Sequence, residues 1–326
     1  MPWKSRAPGM TRSEPPVITS VDVAQAAART KGLARTTPIL AGDPGTVAGQ
    51  VWFKCEFMQH TGTFKARGAL NRILASRERG ELRPDVGVVV ASGGNAGLAN
   101  AYAAAQVGVP ATVFVPETAP AVKVQKLKAI GATVVQAGAE YAVAYQAAVA
   151  YAAETGAVYC HAYDHPEIAA GAGTVGSELL AQLPGVDTIL VAVGGGGLMA
   201  GIAAAVEGSA KVVAVEPATA PTLHAALAAG KPVDVAVSGV AADSLGARRI
   251  GEIGYSVAVR TGVESVLVRD ADIIAARSAL WNGYRMVVEH GAAAAYAALA
   301  AGSYAPQPGE KVAVILCGSN TDPATL

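Results

Sequence analysis

Four consecutive glycines, Gly194-Gly195-Gly196-Gly197, follow the apolar run Thr188-Ile189-Leu190-Val191-Ala192-Val193 and lead into Leu198-Met199-Ala200. Residues without side chains let several backbone N–H groups converge on one anion, and the positive end of a following helix favours it. That arrangement predicts a phosphate site. One rival reading is a dinucleotide fold, since Gly194 and Gly196 echo the start of GxGxxG. Met199, however, stands where the third glycine of that fingerprint belongs, and the turn lies deep in the chain. A purely structural tight turn is the other rival.

Two further turns of the same kind each follow a β-branched or apolar run: Ser92-Gly93-Gly94-Asn95 and Cys317-Gly318-Ser319-Asn320. In an open parallel sheet ligands bind beyond the carboxyl ends of the strands, so three such turns suggest one shared crevice. Lys65, in Thr61-Gly62-Thr63-Phe64-Lys65-Ala66-Arg67-Gly68, follows an aromatic residue and lies between two glycines. Most lysines are solvated surface residues. One turned into an apolar cleft has a lowered pKa and can form a Schiff base with an aldehyde. A phosphate site and an amine of this kind together suggest a phosphorylated aldehyde, pyridoxal 5'-phosphate.

The elements that must position these residues alternate along the chain. Strands are expected at 51–57, 86–91, 111–115, 133–136, 158–161, 188–193, 211–215 and 312–316. Helices are expected at 96–107, 119–130, 141–155, 174–182, 198–206 and 272–288. Alternation of this kind is the pattern of an α/β fold with mostly parallel sheets covered by helices. The strands read as nearly continuous apolar runs, as strands buried on both faces do. Residues 86–163 alternate throughout and form a candidate small domain. Residues 17–85 and 164–326 would then form the large one.

Composition narrows the partners. With 25 basic and 25 acidic residues the formal net charge is +0, which points away from nucleic acid and from an anionic membrane surface. A small molecule is the expected partner. Apolar runs are broken well short of the roughly 20 residues a membrane helix needs. Cys55, Cys160 and Cys317 form no CxxC pair, which favours a reducing, cytoplasmic setting over a disulfide framework or zinc ribbon. Residues 1–16 carry Lys4, Arg6, Arg12 and several prolines without an apolar run, so they read as a flexible extension and not a signal peptide.

Four ordered motifs carry a resemblance: Thr-Gly-Thr-Phe-Lys-Ala-Arg-Gly-Ala (61–69), Ala-Ser-Gly-Gly-Asn-Ala-Gly (91–97), Gly-Gly-Gly-Gly-Leu (194–198) and Leu-Cys-Gly-Ser-Asn (316–320). In these the chain resembles the fold-type II pyridoxal-phosphate enzymes, in the branch of serine/threonine dehydratases and serine racemase. Weaker similarity runs from about Val17 to the C-terminus, including Arg35-Thr36-Thr37-Pro38. The resemblance implies a two-domain, tryptophan synthase β-like architecture and a homodimer. It implies that Lys65 carries the cofactor and removes the substrate α-proton, that Phe64 packs against the cofactor ring, and that Asn95 bonds its 3′-oxygen. Gly194, Gly195, Gly196, Gly197 and Leu198 would cradle the phosphate. Ser92, with Gly93, Asn95 and Ala96 of the same turn, would bind the substrate carboxylate. Cys317 would face the pyridine nitrogen, and a neutral thiol there leaves the ring a weaker electron sink than a carboxylate would.

Departures from the family pattern refine the expectation. Gly93 stands where racemase-like members carry a serine that serves as the acid/base on the second face, so efficient racemisation is not expected. Glu216 matches half of the acidic pattern of metal-stimulated relatives, but Thr222 replaces the second carboxylate. No metal is expected, and Glu216 reads as a strand end at the surface. Ala66, and a turn lacking Ser-Gly-Asn-Thr-Gly, argue against threonine synthase and β-replacement chemistry. Glu289 borders the cofactor or else ends a helix, and Asp164 is a candidate for the site entrance. His60, His161, His165, His224 and His290 lack metal-ligand spacing and read as structural or surface residues. The chain ends soon after Asn320, so no C-terminal regulatory domain and no end-product inhibition are expected. The expected activity is a lyase that converts serine, threonine or a related β-hydroxy amino acid to a 2-oxo acid and ammonia. A racemase or β-replacement enzyme on the same scaffold, and a non-catalytic phosphate-binding module, are the alternatives.

Overall fold

Runs of buried β-branched residues set the layers. The computed structural model of the chain describes residues 17–45 and 47–326; the extension expected over 1–16 lies outside the described residues. The strands are β1 (Ile39–Ala41), β2 (Gln50–Lys54), β3 (Val88–Ala91), β4 (Ala111–Val115), β5 (Thr133–Gln136), β6 (Val158–Tyr159), β7 (Thr188–Ala192), β8 (Lys211–Pro217), β9 (Glu264–Val268) and β10 (Lys311–Ile315). The helices are α1 (Ser20–Thr30), α2 (Lys65–Glu78), α3 (Asn95–Val107), α4 (Ala121–Ala129), α5 (Tyr141–Thr155), α6 (Pro166–Gln182), α7 (Gly197–Val206), α8 (Thr222–Ala229), α9 (Ala242–Leu245), α10 (Glu252–Thr261), α11 (Asp270–Tyr284) and α12 (His290–Ala300).

Two sheets result, one ordered β1-β2-β10-β7-β8-β9 and one ordered β5-β4-β3-β6. Every pairing is parallel except β1 with β2, so the chain is α/β, as expected. Strands β3, β4 and β7 are buried at every position, which explains their unbroken apolar sequence. The order of the larger sheet matters most for function. β10 lies between β2 and β7, parallel to both, so three loops far apart in sequence leave one edge of the sheet side by side.

Helix α6 begins at Pro166, well before the expected 174, although Gly171, Gly173 and Gly176 would ordinarily weaken a helix. The glycines are there for close approach. A Cβ on Gly171 would lie 2.7 Å from the Arg67 carbonyl of α2, and one on Gly173 2.5 Å from the Gly201 carbonyl of α7. The helices that carry Lys65 and the tetraglycine turn are thereby seated on a common neighbour. α2 also reaches the smaller sheet: Ala69, Leu70 and Ile73 share a core with Val88, Val90 and Val113. At the other end of the chain, α11 stops at Tyr284 where 288 was expected, because Arg285 turns into the left-handed region (φ 57°).

Candidate active site

The loop after β2 carries Lys65 and is stitched to the loop after β10. The Phe64 N–H donates to the Cys317 carbonyl (3.1 Å), and the Ser319 N–H donates to the Gly62 carbonyl (2.9 Å). The Asn320 amide closes the same seam by donating to the Thr61 carbonyl (2.9 Å). Thr61 itself sits in the left-handed region at φ 62°, a strained position for a β-branched residue. Lys65 is thus the first residue of α2, with its N–H held by the Thr63 hydroxyl (3.0 Å).

The Lys65 side chain turns inward. Its Nζ donates to the Ala162 carbonyl (3.1 Å) and lies 5.1 Å from the centre of the Phe64 ring. Burial lowers the pKa of this amine, with Cys317 and Glu289 opposing the shift. One carbonyl for three N–H donors leaves the amine under-bonded.

Beyond β7 the tetraglycine turn is compressed from all sides. A Cβ on Gly195 would run into the ring of Tyr163, and one on Gly197 would lie 2.7 Å from the Tyr163 carbonyl. Gly196 has φ +89° and lies against Ile250. The backbone N–H groups of Gly194, Gly195, Gly196, Gly197 and Leu198 have no acceptor among the described residues. Unpaired amides at a helix N-terminus are a ready anion site, and here five are grouped. That observation fits a phosphorylated cofactor: the amides would take the phosphate and the Lys65 amine the aldehyde.

A second group of amides begins α3. The Gly94 N–H reaches the Ser92 hydroxyl (3.3 Å), while those of Gly93, Asn95 and Ala96 have no acceptor among the described residues. The space beside Gly93 is open to Val115 Cγ1 at 3.4 Å, and nothing crowds Gly94. The Asn95 side chain is engaged on both atoms. It donates to the two Glu289 oxygens (2.9 and 3.2 Å) and accepts from Asn320 (2.7 Å).

Cys317 is buried, and burial first, then Glu289, raises its pKa well above that of an ordinary thiol, which keeps it neutral. Glu289, read from sequence as either a cofactor neighbour or a helix end, stands at a helix end and reaches Asn95 from there. It precedes α12, and burial raises its pKa although the Asn95 amide opposes this. Asn320 and Tyr163 were given no role in the sequence reading, yet one locks Asn95 and the other covers Gly195. Spacing within a motif could flag Asn320, but nothing local pairs Tyr163 with Gly195.

Glu216 requires a correction. It is fully buried, not at the surface, and accepts from the N–H groups of Leu223 (2.7 Å) and His224 (2.8 Å) and from Ser265 (3.2 Å). The carboxylate caps the start of α8, and Thr222 there donates to the Gly194 carbonyl (2.5 Å). The pair braces the glycine turn. Asp164 holds the Glu252 and Ile253 N–H groups (3.1 Å each) and so anchors α10. His60 stacks on Tyr102, and His165 pairs with Glu167, whereas His161 lies near Lys65. Among the described residues no group of three or more His, Cys, Asp or Glu side chains is placed to hold a metal ion. Nor is any helix among them long and apolar enough to cross a membrane.

Comparison with known proteins agrees with this geometry. Residues 31–318 match the family described as pyridoxal-phosphate dependent enzyme. The chain is 40% identical to an L-threonine ammonia-lyase of Geobacter sulfurreducens over 279 residues, covering 85% of this chain and 68% of that protein. It is 36% identical to a phenylserine dehydratase of Ralstonia pickettii over 307 residues, covering 92% of each. Among solved structures, maize serine racemase superposes with a TM-score of 0.88 at 31% identity, over 94% of this chain and 95% of that one. A match that spans most of the chain, on a crevice with an under-bonded lysine and a cluster of unpaired amides, places the chain in the pyridoxal-phosphate dependent enzyme family.

Proposed function

We propose that the chain is an ammonia-lyase that dehydrates a β-hydroxy amino acid, with serine and threonine as default substrates, to a 2-oxo acid and ammonia. The observation that carries this reading is the Lys65 amine. It is half-buried and bonded to one carbonyl, in a fold where two helix N-termini leave their amides without acceptors. The relatives named as ammonia-lyases and dehydratases support it.

Gly194 to Leu198 would hold the cofactor phosphate, Phe64 would pack on its ring and Asn95 would reach its 3′-oxygen. When bound, the cofactor supplies an electron sink for charge developing at the substrate α-carbon. Lys65 Nζ, its pKa lowered by burial, takes the α-proton. Ser92 and the N–H groups of Gly93, Asn95 and Ala96 hold the substrate carboxylate and set the Cα–H bond toward that amine. Cys317 stays protonated and gives no charge to the ring nitrogen, which favours a path where the leaving hydroxyl carries off the developing charge. At Gly93 no side chain is present to return a proton to the opposite face, which disfavours racemisation.

The wider assignment includes a small domain at 86–163, a large domain at 17–85 and 164–326, a homodimer, and a cytoplasmic setting. Neither nucleic acid nor membrane is assigned as a partner. Visible absorbance of the purified protein, altered by borohydride, together with ammonia release from L-serine or L-threonine, tests the reading. A colourless protein that binds phosphate without releasing ammonia would sink it.

A further inference from the structure

His161 follows β6 at the carboxyl edge of the smaller sheet. The Cys160 N–H still bonds the Val89 carbonyl (2.9 Å), so His161 lies level with the last residue of β3. One strand spacing, about 5 Å, separates its backbone from Ala91, the residue from which the turn Ser92-Gly93-Gly94-Asn95 leaves the sheet. Its other neighbour in sequence, Ala162, supplies the carbonyl that holds Lys65 Nζ.

The imidazole is fixed in one state. Nδ1 accepts the N–H groups of Asp164 (2.8 Å) and Tyr163 (3.2 Å), so Nδ1 carries no proton. Burial lowers the pKa of the ring; Asp164 opposes the shift, and His165 and Lys65 add to it. The neutral ring therefore bears its hydrogen on Nε2. Tyr163 meets it edge-on at 4.9 Å and Tyr159 at 6.5 Å, which fixes the ring plane. Nε2 has no hydrogen-bond partner among the described residues. A donor is thus oriented and without a protein partner, on a ring close enough to Lys65 to feel its charge.

We infer that His161 Nε2–H binds the β-hydroxyl oxygen of the substrate and sets the Cβ–O bond for departure. The assignment rests on the proposed dehydration. A carboxylate held by the amides of the turn after Ala91 would leave the β-substituent to the groups at the same edge of the smaller sheet, His161 among them. The α-proton passes to Lys65 Nζ, the Cβ–O bond breaks with its electron pair going to oxygen, and the proton now on Lys65 passes to that oxygen, which leaves as water. His161 keeps its own proton throughout, since losing it would leave an anionic ring. Its role is to select and orient the leaving group.

The test compares two substrates in the holoenzyme. L-Serine leaves through an oxygen that accepts a strong hydrogen bond, whereas 3-chloro-L-alanine leaves through chloride and needs no such donor. His161→Phe keeps the ring shape and removes the donor, and His161→Gln keeps an N–H. Loss of one hydrogen bond predicts about a tenfold fall in kcat/KM on serine for His161→Phe, with less than about a twofold change on chloroalanine, and partial recovery in His161→Gln. The visible absorbance should be unchanged in both variants. Equal losses on both substrates, or no loss on serine, would overturn the assignment; should His161→Phe not fold, the same comparison in His161→Gln decides, a serine-selective fall supporting the assignment and its absence overturning it. A wild-type protein that released no ammonia from either compound would bring down the dehydration itself, and the assignment with it.

Discussion

Lys54 and Lys65 stand at the two ends of the same loop, both withdrawn from water, and their surroundings differ in one respect. Lys54 Nζ has every donor filled: the Thr37 carbonyl (2.7 Å), Glu178 (2.5 Å) and Gln182 (2.8 Å). Around it Arg67 pairs with Glu56 (2.7 Å) and Glu178 (3.1 Å), and Thr37 bonds Glu56, so that four charges from four elements balance. Lys65 has one carbonyl. Burial lowers the pKa of both amines, so burial alone does not mark the reactive one. Unfilled hydrogen-bonding capacity does. The charge cluster is a structural clamp that seats α2, and the crevice is the place where the fold leaves polar groups unsatisfied for a ligand to complete.

The largest effects should separate these two lysines by readout. Lys65→Ala should lower ammonia release by at least about 10²–10⁴-fold, the scale of a lost proton-transfer group. It should also abolish the borohydride-sensitive absorbance. The melting temperature of the apoprotein should not fall, because an under-bonded buried amine contributes little to stability. Lys54→Ala should do the reverse. Arg67 still reaches Glu178, but the buried cluster keeps two carboxylates against one cation, and an uncompensated interior charge costs about 3–5 kcal/mol, measurable by urea unfolding, while the folded fraction keeps its turnover per active site. If Lys65→Ala unfolded and Lys54→Ala did not, the contrast would be wrong.

A smaller effect concerns Glu289, the carboxylate inside the crevice. Its folded pKa is raised by burial, so the native state binds more protons than the unfolded state above the ordinary glutamate value of about 4.3. Stability contributed by this group therefore falls as pH rises through the window between that value and the raised one. Urea midpoints of the apoprotein measured from acid to neutral pH should show the decline. Glu289→Gln should flatten it, while still accepting from Asn95. An unchanged slope in the variant would assign the decline to other groups.

How far these features can be read from sequence depends on how local they are. Strands at 111–115 and 133–136 fall where their β-branched runs place them: burial on both faces writes itself into every residue of the first, while the second is an edge strand with exposed ends that its β-branched run alone marks. The three turns and Lys65 are legible for the same reason, since each is a short motif. That they converge follows from β10 inserting between β2 and β7, a topological fact that no local pattern carries. The early start of α6 is hidden because its glycines suit helix contact and oppose helix propensity at once. Glu216 looks like a surface strand end until the amides of α8 are seen to cap it. The cluster of Lys54, Glu56, Arg67 and Glu178 is illegible, since ordinary charged residues become remarkable only when the fold buries them together.

The smallest effect belongs to a third lysine, Lys123 of α4, which pairs with Asp243 of α9 at 2.5 Å between elements flanking the two sheets. Its geometry rivals that of Lys54, but Asp243 is 74% exposed, so water competes for both charges. An exposed pair contributes at most about 1 kcal/mol and weakens as salt screens it. Lys123→Met should therefore shift the urea midpoint only slightly, and the shift should shrink in high salt. A loss as large as that of Lys54→Ala would mean that the contact bears load between the two sheets. A small, salt-sensitive shift would leave solvent access as the quantity that ranks the pairs, with Lys65 set apart because it has no charged partner to lose.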